Sequence, residues 1–497
     1  MKKLSYKTLE EMNYPGYLLK DAPEKVIQFG EGNFMRAFVD YFIDEMNEKA
    51  DFNGKVVLVQ PIANGSFRLN DILNDQDDLY TLYLQGFQDG KSVREKRIIS
   101  AASRCLNAVE DWNDVLETAS NPDLRFITCN TTEAGIVYDP GCKLEDAPAS
   151  SWPGKLTQYL YKRWQNGLPG FIILACELID DNGKELEKAV CKHAEDWNLP
   201  EEFQKWIKDE NVFCSTLVDR IVTGYPRANA AELNEENGYE DNAMDTGEIF
   251  GVWVIEGPQS IKDELPYEKA GLPILVTDNH KPYKERKVRI LNGAHTSMVL
   301  GAFLAGQDIV RDCMYDPTIS AYLNQAVFDE IIPTLSLPEE ECKEFADAVA
   351  SRFKNPYIDH SLLAIALNST AKWKARVMPS LLGYVNKFGR LPKALTNSLA
   401  SLIAFYRGNE LTADGLKAIN PVTKKEYMIK DDPAVLEFYA NHAGADNKTL
   451  VHDVLSNTDF WGQDLTKVAG LEDAVLADLN TIDTKGSLEA MKEAVQA

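Results

Sequence analysis

Lys287, Asn292 and His295 stand close together in the stretch Lys287-Val288-Arg289-Ile290-Leu291-Asn292-Gly293-Ala294-His295. On a helix, successive residues rotate by about 100°. Relative to Lys287, Asn292 then lies near ~140° and His295 near ~80°, so all three can look into one cleft at different heights. Such a trio suits reduction of a ketone. As hydride arrives, negative charge builds on the carbonyl oxygen; an ammonium can donate a proton to it and a neutral amide can stabilise it. The neighbouring cations Arg286 and Arg289, with partial burial, would lower the lysine pKa toward the working range. The histidine would orient a substrate hydroxyl or the lysine. The same three residues also fit a plain amphipathic helix with an exposed lysine, a capped asparagine and a satisfied histidine, so the trio by itself does not decide.

A hydride donor needs a holder, and the other end of the chain has one in outline. Lys25-Val26-Ile27-Gln28-Phe29 reads as a short buried strand running into Gly30-Glu31-Gly32-Asn33-Phe34-Met35-Arg36-Ala37. Phe38 to Lys49 has helical spacing, with Phe38, Tyr41, Phe42, Glu45 and Met46 on one stripe. A second strand follows at Lys55 to Gln60. Strand, glycine turn, helix and strand form a βαβ unit, the start of a doubly wound sheet. Gly30 and Gly32 permit a tight turn and close approach of a pyrophosphate, and the helix offers free N–H groups at the positive end of its dipole. The third glycine of a full GxGxxG is replaced by Met35. An acid at the end of the second strand would mark NAD and an arginine NADP. That strand ends in Gln60-Pro61, and Asp51 precedes it, so direct reading leaves the cofactor choice open.

Arg125 to Cys129 and Phe171 to Cys176 read as further buried strands. Each runs into a polar loop, Asn130 to Gly135 and Glu177 to Gly183. Ligands sit at the carboxyl ends of strands in such sheets, so these loops are candidate walls of the site, or else ordinary connections. An acidic, turn-rich stretch spans Glu232 to Glu248. Gly257-Pro258, Leu265-Pro266 and Gly271-Leu272-Pro273 mark a change of organisation near 265–280. Beyond it the pattern is helical almost to the end, at Lys287 to Ala305, His360 to Phe388, Leu395 to Tyr406 and Pro433 to His442, with Ser487 as N-cap of a last helix. The expected fold is α/β: a peripheral N-terminal extension (1–22), a Rossmann-type doubly wound sheet (23–270) and a mostly α-helical domain (275–497).

The bulk properties narrow the function. A chain of 497 residues is long for one core and suggests two domains. The formal charge of −25 argues against nucleic acid, whose phosphates need a basic surface. No segment has the length of a membrane span and the start lacks a signal-peptide core, so a cytoplasmic location is expected, with no membrane partner. The eight cysteines form no CxxC pair and read as free thiols in a reducing compartment. With six histidines and no tight Cys/His cluster, no zinc site is expected. An anionic substrate would need a local positive island. Two exist: Lys281, Lys284, Arg286, Lys287 and Arg289, and then Lys372, Lys374 and Arg376. On charge alone both also fit solvated helix faces.

Taken together, Gly30-x-Gly32-x-Phe34-x-Arg36-Ala37 is similar to the GxGxFxRA turn of the long-chain mannitol dehydrogenase family, and Lys287-x4-Asn292-x2-His295 matches that family's K-x4-N-x2-H pattern. Asn130 to Gly135 and Cys176 to Gly183 also resemble family segments, so the likeness runs from about residue 23 to beyond 380. Within the family, the turn and the lysine helix most resemble the members that interconvert D-tagaturonate and D-altronate with NAD(H); fructuronate-reducing and mannitol-type members are the alternatives. The resemblance implies a Rossmann domain followed by a helical domain, NAD as cofactor, no zinc, a small sugar-acid substrate, Lys287 as general acid/base, and Asn292 and His295 as its assistants. It implies a cofactor site at Gly30, Glu31, Gly32, Asn33, Phe34, Arg36, Asn130 and Thr131. In the mannitol-specific members an asparagine after Cys-Asp helps hold the reacting oxygen. Here the segment reads Cys176-Glu177-Leu178, and Leu178 cannot hydrogen-bond, so that role is vacant or falls to Glu177 or Asn182. Lys372, Lys374 and Arg376 are the candidate carboxylate binders.

Overall fold

Most residues of the first two strands are buried, and the backbone pleat sends their apolar side chains alternately to two cores. In strand β1 (Glu24–Phe29), Val26 faces one cluster with Phe38 and Phe42, while Ile27 and Phe29 face another with Trp152 and Leu156. Strand β2 (Lys55–Gln60) repeats the pattern, with Val56 and Leu58 on the first side and Val57 and Val59 on the second. Burial on both faces is what a parallel sheet covered by helices demands. The computed structural model describes residues 1–63, 68–88, 90–132 and 134–496. These fall into two units, Met1–Gly86 with Val93–His280, and Phe87–Ser92 with Lys281–Ala497.

The first unit carries β1 and β2, then most of β3 (Tyr80–Gln88) and β4 (Lys91–Ile99), and β5 (Ala102–Asn107), β6 (Phe126–Cys129), β7 (Ile172–Ala175), β8 (Val212–Asp219), β9 (Asp245–Glu248), β10 (Val252–Glu256) and β11 (Ile274–Thr277). Eight of them form one sheet in the order β11-β10-β8-β7-β6-β1-β2-β5. Neighbours run parallel except β8 and β10. The order reverses between β1 and β6, which opens a crevice beyond their carboxyl ends. This is the expected Rossmann-type doubly wound sheet.

The smaller sheet β4-β3-β9 corrects one expectation. Residues 1–22 are packed into the unit rather than peripheral. Leu4 and Leu9 are buried with Leu79, Ile98 and Tyr239, Lys3 bridges to Glu240, and the Leu19 N–H donates to Ser100 Oγ at 2.8 Å. The acid-rich stretch is likewise partly interior. Asp241 is buried because it accepts from the Thr81 N–H at 2.6 Å, the Ala243 N–H at 2.9 Å and Gln76 Nε2 at 2.9 Å.

The second unit is built around the helix Gly293–Leu304, buried along its whole length, and the helix Lys393–Phe405. Glu330 caps the latter by accepting the Ala394 and Leu395 N–H groups, each at 2.9 Å. The stretch expected as one helix from His360 to Phe388 is three: Leu362–Ile365, Ser369–Arg376 and Met378–Phe388. Asn368 is left-handed (φ 54°) before the second, and Pro379 lies in the first turn of the third, where its missing N–H is tolerated. A three-stranded antiparallel sheet, β12 (Glu410–Thr412), β13 (Gly415–Ile419) and β14 (Glu426–Ile429), interrupts the helical pattern. Strands this short leave little alternation to read.

Candidate active site

The chain leaves β1 at Gly30 with φ 128°, a conformation that L side chains rarely adopt, and a Cβ there would stand 3.0 Å from the Asn130 carbonyl oxygen. The turn is pinned at both neighbours: Gly30 N–H donates to Val59 O at 2.9 Å and Asn130 N–H to Phe29 O at 3.1 Å. Gly32 differs. It has ordinary backbone angles, and a Cβ on it would meet nothing within 4 Å. Gly30 is thus needed by the fold, whereas Gly32 keeps open space above the helix that starts at Asn33. A cleft of about 710 Å³ begins here and is lined by Gly30, Glu31, Gly32, Ile62, Asn130 and Thr131, among others. Free N–H groups in the first helical turn, an open glycine and apolar walls fit a dinucleotide's pyrophosphate and adenine.

Three residues expected at the cofactor do other work. Arg36 is buried; its Nε donates to Glu31 O at 3.0 Å, one terminal nitrogen to Ala243 O at 2.5 Å and the other to Asn33 Oδ1 at 2.8 Å. It also pairs with Asp245 at 3.7 Å. Arg36 therefore ties the glycine turn to the β9 side of the unit, and Asn33 serves as one of its acceptors. Phe34 stacks on Phe38 with centroids 5.0 Å apart. Residues Arg36–Asp40 form a π-helical segment inside the helix. Burial pushes the carboxyls of Asp40 and Asp245 beside it up to about 7.

Glu177 and Asn182, expected at the substrate, are corrected in the same way. Glu177 is buried; its carboxylate accepts from the Thr131 N–H and the Thr131 hydroxyl, each at 3.0 Å, and burial raises its pKa. Asn182 is buried, with Nδ2 donating to Ala175 O, Glu177 O and Thr216 O and Oδ1 accepting from Thr216 N–H. Its hydrogen-bonding capacity is filled by backbone. Both residues lock the ends of β6, β7 and β8, and Glu177 thereby sets the Asn130-Thr131 wall of the cleft. Leu178 is exposed.

In the second unit Lys287–Asn292 is π-helical, continuous with α-helix on both sides. The α-helical angles expected for the trio therefore change. An i→i+5 turn brings Asn292 back over Lys287 instead of far around the helix. Gly293 permits this packing, since a Cβ there would come 3.1 Å from Arg376 O. Asn292 is partly exposed, and among the described residues its side chain makes no hydrogen bond. His295 is buried, stacked on Phe353 at 4.1 Å and edge-on to His360 at 5.2 Å, and its Nε2 has no partner. Burial holds its pKa well below the usual range, helped by His360, Arg352, Arg376 and Lys372.

The two positive islands are divided by helix geometry. Lys372 and Arg376 lie four residues apart, on one face of Ser369–Arg376, and both act on His295. Lys374, two residues from each, projects elsewhere, toward Gly462. Lys372 Nζ donates to Ile365 O at 2.8 Å, and Arg376 reaches Thr296 Oγ1 at 3.5 Å. Neither makes an ion pair among the described residues. In the first island, Arg289 donates to Ser380 Oγ at 2.8 Å, and Arg286 covers the Phe345 ring at 4.6 Å. Lys284 remains beside Lys287; burial, then that neighbouring charge, lowers its pKa. Sequence reasoning missed Arg352, Phe353 and His360, which are distant in the chain from His295 and carry no spacing signal.

Among the described residues, one group of three side chains has the types and spacing of metal ligands. Asp181, Glu256 and His280 bring ligand atoms within 4.8 Å of one another. Lys184 Nζ already sits there, 2.5 Å from Glu256 and 3.4 Å from Asp181, and His280 Nδ1 is 2.6 Å from Glu256. An ammonium thus supplies the positive charge a metal would bring.

The Rossmann-domain model of the mannitol dehydrogenases matches residues 24–269 and their C-terminal-domain model matches residues 279–483. The chain belongs to the mannitol dehydrogenase family of oxidoreductases. It is 46% identical to the altronate oxidoreductase of Escherichia coli O7:K1, over 98% of this chain and 99% of that one. The altronate oxidoreductase of Shigella flexneri matches equally, at 46% over the same shares. Among solved structures, substrate-free D-sorbitol dehydrogenase superposes with a TM-score of 0.81 at 24% identity, covering 98% of this chain and 100% of the other. The Pseudomonas fluorescens mannitol 2-dehydrogenase ternary complex with NAD and D-mannitol gives 0.69 at 23%, covering 99% of each. These two likenesses concern the fold.

Proposed function

We propose that this chain interconverts D-tagaturonate and D-altronate with NAD(H), without a metal, in the cytoplasm. Residues 23–270 serve as the dinucleotide-binding part and 275–497 as the catalytic part. The observation that carries the anionic substrate is the surroundings of His295. The strongest charges on its ring are all basic, in a chain whose net charge is −25. Of these, Lys372 and Arg376 make no ion pair among the described residues; part-buried cations gain from a counter-charge, and a hexuronate carboxylate is one. The 46% identity to altronate oxidoreductases supports the same substrate.

In the reducing direction a nicotinamide held at the Gly30 turn would supply hydride for the ketone carbon. Lys287 gives its proton to the carbonyl oxygen, so that a C–H and an O–H bond form as the C=O π bond is lost. Asn292 donates its amide N–H to that oxygen as charge builds on it. His295 stays neutral at working pH and offers Nε2 to a substrate hydroxyl. Lys372 and Arg376 receive the carboxylate, and Lys374 has no part. The Gly30 turn, the helix start behind Gly32 and the Asn130-Thr131 wall hold the cofactor, with Arg36 bracing the turn and Glu177 bracing the wall. No helix among the described residues is long and apolar enough to cross a membrane.

The test is steady-state kinetics on tagaturonate, fructuronate and fructose with NADH. Tagaturonate is expected to lead both others in kcat/KM. Comparable rates on neutral fructose would sink the sugar-acid reading, and a lead for fructuronate would reassign the substrate.

A further inference from the structure

The end of β2 has no acid to recognise an adenosine ribose. Gln60 is buried with Nε2 turned back onto Ile62 O at 3.0 Å, and Pro61 follows. We infer that Glu31, inside the glycine turn, takes this part: it accepts the ribose hydroxyls of the adenosine and turns away a 2′-phosphate, making the cleft selective for NAD over NADP. The inference rests on the reading that this cleft holds a dinucleotide.

Glu31 lines the cleft together with Pro61 and Ile62, the residues that follow β2. Its charge is the strongest acting on the thiol of Cys105, a β5 residue paired in register with Leu58 of β2. The carboxylate therefore lies toward the β2–β5 side of β1, where a strand-end acid reaches in related folds. The charge of Arg36 acts on this carboxylate, but its hydrogen bonds and ion pair go elsewhere. The guanidinium takes the backbone oxygen of Glu31 and pairs with Asp245. Among the described residues Glu31 makes no ion pair, and burial raises its pKa. A partly buried carboxylate with no direct ion pair is well satisfied by hydroxyl donors, and a ribose diol presents two on adjacent carbons.

The cations that could welcome a 2′-phosphate are engaged. Arg68, the first basic residue after β2, is held by Asp71 and by Glu110 at 3.0 Å. Lys155 lines the same cleft but is buried, with Nζ donating to Ser150 O at 3.0 Å.

The experiment is equilibrium binding of NADH and NADPH to the full chain without substrate, followed by nucleotide fluorescence. The unsubstituted protein is expected to prefer NADH by about tenfold to a hundredfold, the worth of one hydrogen bond to a charged group. Glu31→Gln removes the charge and should cut that preference by about tenfold or more, through weaker NADH and stronger NADPH binding. An unchanged preference in a folded Glu31→Gln protein overturns the inference while leaving the cofactor reading intact. If Glu31→Gln does not fold, Glu31→Asp carries the test. It keeps the charge but shortens the reach, so NADH should weaken severalfold with NADPH still rejected, and unchanged NADH affinity counts against Glu31. If the unsubstituted protein binds neither dinucleotide, the cofactor reading falls and this inference with it.

Discussion

Replacing Arg376 by methionine keeps most of the side-chain length and removes the charge. Arg376 touches Thr296 Oγ1 at 3.5 Å, makes no ion pair among the described residues, and acts on the buried His295 ring. Two opposite charges ~4 Å apart attract by about 4 kcal/mol at an effective dielectric near 20. Partial solvent access reduces this, and a hydrogen bond between charged groups is worth about 1.5–3 kcal/mol. Arg376→Met should therefore lower kcat/KM for tagaturonate by about ten- to a hundredfold. Fructose, which has no carboxylate, should lose little. Lys372→Met should act in the same direction, and the double variant should show less than the summed loss, because one carboxylate is shared. The assay is initial-rate kinetics of the four proteins on both substrates. Equal losses on tagaturonate and fructose would assign Arg376 to packing, and no loss on either would remove the carboxylate pocket. Removing one of the charges that lower the His295 pKa also predicts an upward shift of that ring's titration, readable by NMR.

Lys287→Ala is expected to cut turnover by roughly two or more orders of magnitude; a near-normal kcat would end its role as acid. Gly30→Ala forces a side chain onto φ 128° and within 3.0 Å of Asn130 O, a strain of about 1–3 kcal/mol, so NADH affinity and Tm should both fall. Gly32→Ala, with open space at its Cβ, should weaken NADH while leaving Tm nearly unchanged. Asp40 and Asp245 have folded-state pKa values pushed up to about 7, above the unfolded value, so the folded state retains their protons as pH rises. Their contribution to stability is full below about pH 4 and falls away toward about pH 7. Asp245→Asn should flatten the dependence of urea midpoints between about pH 4 and about pH 7, and an unaltered slope would contradict it. Exhaustive chelation should leave activity intact; a loss restored by a divalent ion would point to Asp181, Glu256 and His280.

Much of the fold was legible because it rests on local signals. Unbroken apolar runs specify buried strands, and glycine followed by helical spacing specifies the turn. The Lys287-x4-Asn292-x2-His295 spacing likewise pointed to one helix. What it could not show is the π turn, because nothing in Lys287 to Asn292 distinguishes five residues per hydrogen-bonded turn from four. The short strands β12 to β14 escaped for a related reason, being too brief for alternation to emerge from a helical background.

Polar residues were the harder case. Arg36, Glu177 and Asn182 have the chemistry of ligand-binding groups, and their neighbours in sequence belong to the cleft. Whether such a group faces a ligand or satisfies buried backbone depends on which distant carbonyls and N–H groups arrive beside it. Ala243 O settles this for Arg36, and Thr216 O and N–H settle it for Asn182.

Sequence alone determined the order of elements, the glycine turn after β1, and the one-dimensional spacing of lysine, asparagine and histidine, because each depends on residues adjacent along the chain. Only the folded molecule decided that Lys372 and Arg376, but not Lys374, join Arg352 and His360 around His295. Charge can be counted along a chain, but its direction comes from helix phase and from long-range packing.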